Sequence, residues 1–166
     1  MNKQLEATPA ILRELLATVT GADTQWKPAP GRFSIAEVLE HLSHVEAHAY
    51  RLRIERMISE DNPEMEQYDQ NAFYAAGQYS GRDAEDSFDH FEEQREDNLE
   101  FLRNLPPGSG SRTGTFPGFG SFTLDQLIYE WACHDLGHIR QISELIRALK
   151  YYPDLGIFQD YYKLNP

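Results

Sequence analysis

Residues 122–150 read "FTLDQLIYEWACHDLGHIRQISELIRALK", and the fold turns on how this stretch is read. Thr123 followed three residues later by Gln126 is a capping box, in which each side chain takes the other's backbone amide. Phe122 and Leu127 flank it as a hydrophobic staple. Beyond it Leu127, Trp131, Ile139, Ile142, Leu145 and Leu149 recur at helical spacing, which predicts one amphipathic helix running to about Lys150. On a wheel advancing about 100° per residue, His138 lies inside the apolar arc and His134 on its edge, roughly 40° apart and one turn removed. Two imidazoles therefore share an inward face. Asp135 falls within the same arc, whereas Cys133 lies about 100° from His134 and is a poor ligand candidate.

Working outward, a second helix opens in the same way. "FSIAEV" places Ser34 and Glu37 in a capping box with Phe33 and Val38 as its staple. Its apolar stripe is Ile35, Val38, Leu42, Val45, Ala49 and Leu52. Of the histidines in "HLSHVEAH", His41 lies about 70° from the stripe centre, His48 about 90° and His44 about 130°. His41 is the inward candidate, His48 the reserve, and His44 is assigned to solvent. A helix capped by Thr8 with Pro9 at its first position carries Ile11, Leu12, Leu15, Leu16 and Val19 and stops at Gly21; residues 3–7 are able to extend it backward. Another runs from about Asp83 to Leu105, with Phe88, Phe91, Leu99, Leu102 and Leu105 inward, and ends at Pro106-Pro107-Gly108.

Between these helices, 60–82 is a long connection with a short helix expected around Gln70–Ala76, and "PPGSGSRTGTFPGFGSF" at 106–122 reads as a Gly/Pro/Ser connection. No convincing strand alternation appears. Four helices without strands predict an all-α bundle, read as one domain over 1–166. The aromatic tail "YYPDLGIFQDYYKLNP" is expected to pack on the bundle or on another subunit.

Composition narrows the function. With 27 Asp plus Glu against 15 Lys plus Arg, the net charge of −12 opposes both a phosphate backbone and an anionic membrane surface. No stretch reaches the ~18 apolar residues of a membrane span, and the start "MNKQLEATPA" has no secretory-type apolar run. One cysteine excludes an intramolecular disulfide, so a cytoplasmic protein is expected.

Two neutral imidazoles at i and i+4 with a third from a facing helix suit Zn²⁺, Ni²⁺ or Fe²⁺ and leave a coordination position open. The same H-x₃-H spacing also suits two satisfied core histidines. If a metal is bound, Asp135 is placed to accept the second ring N–H of a ligand. Arg95 interrupts the apolar stripe of the third helix, with Asn98 beside it. A buried guanidinium must be paired, which points either to a salt bridge with Glu46 or Asp69 or to an anionic substrate near the metal. A di-iron carboxylate centre needs paired Glu-x-x-His motifs, which are absent.

The ordered blocks "TPAILRELL", "GRFSIAEVLEHLSHVEAHAYRLR", "FEEQREDNLEFLRNL" and "FTLDQLIYEWACHDLGHIRQI" resemble the DinB-like superfamily, including its YfiT-type metal-dependent hydrolases and S-transferases, over roughly residues 8–150. The resemblance implies a four-helix bundle with right-handed twist and up-down-down-up connectivity, often dimeric. It also implies a divalent metal on three histidines, here His41, His134 and His138. The function it implies is a thiol S-transferase using a low-molecular-weight thiol on small electrophiles. The alternatives are a hydrolase and a non-catalytic, stress-associated metal-binding homodimer.

Overall fold

The structure is a computed structural model that describes residues 2–166. Helix α1 spans Lys3–Leu16 and a short α2 spans Gly21–Thr24. Helix α3, Ile35–Val45, passes through a π-helical turn at Glu46–Arg51 into α4, Leu52–Ser59. After the short α5, Gln70–Ala75, come α6, Ala84–Arg103, and α7, Leu124–Ile146, which a second π turn prolongs to Tyr151. Both expected capping boxes, Ser34/Glu37 and Thr123/Gln126, are formed.

Side-chain pairs fix the helix directions. Glu40 meets Ser87, Glu46 meets Arg95, and Arg51 meets Asn98, so the α3–α4 rod and α6 run parallel. Thr8 meets Asp135, Leu5 shares a core cluster with Leu127 and Trp131, and Leu12 shares the other with Ile142 and Leu145, so α1 and α7 also run parallel. Arg13 with Glu92 and Leu5 with Arg95 set α1 against α6, and His41 with His134 and Glu46 with Trp131 set α3 against α7. The order is up-down-down-up.

The core is split in two. One cluster contains Leu5, Ala49, Tyr50, Met57, Leu99 and Trp131; the other contains Leu12, Leu39, Leu42, Phe91, Ile142 and Leu145. Between them lies a buried polar layer to which every bundle helix contributes: Thr8, Glu46, Arg95 with Asn98, and Asp135. The Arg95 guanidinium donates to Glu46 Oε1 at 2.6 Å and to Asp135 Oδ2 at 2.7 Å, and its Nη1 also donates to the Leu5 carbonyl at 2.9 Å. Glu46 accepts further N–H bonds from Trp131 and Asn98. Burial pushes the Glu46 carboxyl up, and the Arg95 charge with the Arg95 and Asn98 hydrogen bonds opposes the shift.

Pro9 explains the Leu5 contact. α1 is capped by Asn2, not Thr8, and Pro9 sits within the helix. A proline has no N–H to give the carbonyl four residues back, so Leu5 C=O is free for Arg95. Thr8, expected as a cap, is instead buried and donates its hydroxyl to Asp135 Oδ2 at 2.7 Å. Gly21 does not end α1; it opens α2 behind a Thr20/Asp23 capping box.

Two further expectations change. Leu52 is 48% exposed, because the π turn inserts an extra residue and rotates the following stripe onto Ile54 and Met57. The 106–122 connection holds a β-hairpin, β1 Thr113–Phe116 with β2 Gly120–Thr123, paired from Thr113↔Thr123 to Phe116↔Gly120. Arg112 pins its base by donating to the Met57 and Glu60 carbonyls at the end of α4. The tail folds back so that Arg32 reaches the Asn165 side chain, while Ile157 and Tyr161 stay exposed. Among the described residues no helix is long and apolar enough to cross a membrane.

Candidate metal centre

His41 sits two turns into α3, on the side facing α7, and is 1% exposed. His134 and His138 project from consecutive turns of α7 and are half-buried. His41 Nε2 lies 3.2 Å from His134 Nε2, and His138 Nε2 lies 3.1 Å from the same atom. One ligand atom from each ring falls within 4.8 Å of the other two. Sequence geometry selected these three rings, and the fold brings them together.

Their outer nitrogens set the tautomers. His138 Nδ1–H donates to Gln141 Oε1 at 2.9 Å, which leaves its Nε2 bare. His41 Nδ1 lies 3.4 Å from the Tyr79 hydroxyl, which lies 2.7 Å from that of Tyr68, which in turn lies 2.6 Å from His44 Nδ1. His134 Nδ1 is buried with no protein partner. Bare Nε2 lone pairs thus face one another, and a proton on His134 Nε2 is well directed at only one of the two. Around a cation ~2.0–2.1 Å from each nitrogen, tetrahedral ligands stand about 3.3 Å apart, close to the two separations from His134 Nε2. The donor set fits a divalent ion.

Protonation state agrees. Burial first, then the His138 and His44 rings, pushes His41 down to about 3; burial, then His138 and His41, pushes His134 down to about 2. His138 is also lowered by burial, against Gln141 and Asp135. At neutral pH the three rings are unprotonated and available as ligands.

The other candidates fall elsewhere. His48 is exposed and outside the trio. His44, expected in solvent, is half-buried because the 60–83 connection lays Tyr68 and Phe73 against it. Asp135 and Arg95 lie in the polar layer. The bonds of Asp135 go to Thr8 and Arg95, and no histidine N–H reaches it among the described residues. Arg95 pairs with Glu46 as the salt-bridge expectation had it. Asp69 instead caps α5. Neither Arg95 nor Asp135 faces the cavity described next.

His41 and His134 open onto a cavity of about 650 Å³, with His138 behind them. Its floor is Val45, Ala49 and Leu127, one wall is the hairpin, and the other is Gln67, Tyr68 and Gln70. Tyr50 stacks on Trp131 at 4.5 Å and presents its edge to His134. Sequence periodicity missed the hairpin, Tyr68 and Tyr79, since they reach the site from connections; only the aromatic density of 68–79 hinted at them.

A family model for the DinB superfamily matches residues 4–142. Among solved structures, YfiT from Bacillus subtilis superposes with a TM-score of 0.78 at 23% identity, covering 89% of this chain and 84% of that one. It is described as a probable metal-dependent hydrolase with an unusual four-helix bundle topology. No curated protein matches the chain.

Proposed function

This chain belongs to the DinB superfamily, and from that premise we propose that it is a divalent-metal-dependent enzyme, with His41, His134 and His138 as ligands, that transfers a thiol onto small electrophiles. The observation that carries the reading is the convergence of three neutral imidazoles, two of which line a largely apolar cavity. A divalent ion held this way would lower the pKa of a thiol or water bound to it. On this reading the ion is Zn²⁺ or Ni²⁺, with Fe²⁺ third, and the cosubstrate is a low-molecular-weight thiol. The protein acts as a cytoplasmic homodimer built from one domain over 1–166.

Gln141 keeps a proton on the outer nitrogen of His138, so its inner lone pair stays directed at the ion, and the Tyr79 hydroxyl stands at the outer nitrogen of His41. Asp135 and Arg95 are positioning residues: their buried pair fixes the turn of α7 that carries His134. The thiol is favoured over water because Asp135, the carboxylate next to His134, is already bonded to Arg95 and Thr8 and is not free as a general base. Hydrolysis is the second reading. It is favoured by Glu130, a carboxylate that does line the cavity, and by the description of YfiT.

Metal analysis of the purified protein beside His138→Ala, followed by thiol titration of the zinc-loaded protein in weak buffer, tests the proposal. One ion per chain that the substitution removes, proton release on thiol addition, and thioether formation with an electrophile are expected. Metal content indifferent to His138 overturns the site, and turnover with water alone replaces transfer by hydrolysis.

A further inference from the structure

We propose that Arg53 is the specificity determinant of the cavity, selecting substrates with an apolar body and a single carboxylate. The inference deepens the reading above, since it concerns the same cavity. Arg53 lines it together with His41 and His134, and its charge is felt at His134.

Most arginines of this acidic chain meet a carboxylate: Arg13 with Glu92, Arg51 with Glu55, Arg56 with Glu60, Arg82 with Glu40, Arg95 with Glu46, Arg103 with Glu6, and Arg147 with Glu144. Arg53 makes no ion pair among the described residues. Its one hydrogen bond is from Nη2 to the Glu66 carbonyl at 3.2 Å, and its guanidinium lies over Phe116 of the hairpin, 5.0 Å from the ring centroid. A guanidinium carries five N–H donors and stays charged, so most of its donor capacity is unspent. It is half-buried, and burial disfavours its charge, with Tyr50 and Glu130 acting in opposition. A half-buried cation held in place by a carbonyl and an aromatic face, beside an apolar floor, is placed to receive an anion.

One carboxylate suits it better than a phosphate. The cavity supplies this one arginine and also carries Glu130, which repels a dianion more strongly than a monoanion. The overall charge of −12 acts the same way.

Hexanoate and hexanol serve as probes, titrated calorimetrically into the full chain in zinc-loaded and metal-free form. Hexanoate is expected to bind about tenfold more tightly than hexanol in both forms, the size of one charge-assisted hydrogen bond. Arg53→Gln should abolish that preference while leaving hexanol unchanged, and Arg53→Lys should keep part of it. A preference that survives Arg53→Gln overturns the proposal. So does its absence from the parent protein, and so does equal loss of both probes, which would make Arg53 merely structural. Failure of the metal reading would leave the metal-free preference intact, so the two failures are distinguishable.

Discussion

Three histidines and one arginine show how far single residues were legible. The histidines could be placed because helical phase alone decides which of them face inward, and the capping boxes fix that phase. Arg95 announced its need for a partner by its place in an apolar stripe, and Glu46 was found. Its other partners were not, because the Leu5 carbonyl becomes available only through Pro9, inside a helix that seemed to start there. Arg95→Met should leave Glu46 and Asp135 buried without their counter-charge and cost about 3–5 kcal/mol, read as a lower urea midpoint at pH 7. Gln141→Leu removes the acceptor that fixes the His138 tautomer while leaving all three ligands and the buried core in place. A tenfold or greater loss of zinc affinity, measured by chelator competition with stability in urea preserved, is expected.

Elements depart from the sequence pattern where one residue changes the phase. A stripe counted at constant pitch through residues 46–51 puts Leu52 inward; the π turn turns it outward and buries Ile54 and Met57 instead. Nothing in "EAHAYR" marks that turn, in which Glu46, Ala49 and Tyr50 are all buried. Deleting Ala47 removes that extra residue, so it should restore ordinary pitch with Ile54 and Met57 still inward and leave a single cooperative transition in urea. The hairpin escaped notice because its strands have only four residues each and lie in a stretch punctuated by glycine and proline. At Gly114 an added Cβ would stand 2.9 Å from Met65 Cε and 3.2 Å from Phe122 Cζ. Gly114→Ala should therefore cost about 1–3 kcal/mol and loosen the cavity wall, seen as a lower melting temperature with metal content unchanged.

At the scale of the molecule the coupling between proton, metal and fold can be given a sign. Free histidines have a pKa of 6.5, whereas burial pushes His41 and His134 in the fold down to about 3 and about 2. As pH falls below 6.5 the unfolded chain gains protons that the folded chain refuses, so the metal-free protein loses up to about 1.4 kcal/mol per pH unit for each ring. Urea midpoints should be flat above pH 7 and drop steadily toward pH 4. Zinc at a thousandfold its Kd should add about 4 kcal/mol at pH 7. Its binding should release almost no protons from ligands that are already neutral, as calorimetry in buffers of different ionisation enthalpy would register.

The parallel run of the α3–α4 rod and α6 has one more consequence. A chain that leaves the foot of one rod and must enter the head of the next has to climb the whole flank of the bundle, which is why residues 60–83 exist at all. That ascent carries Gln67, Tyr68, Gln70 and Tyr79 past the imidazoles. One wall of the space a guest molecule would occupy, Gln67, Tyr68 and Gln70, thus belongs to a tether that topology demands but whose wording the packed interior leaves largely free. Such an arrangement lets preference for one guest or another drift over generations while the ion-holding rods stay as they are.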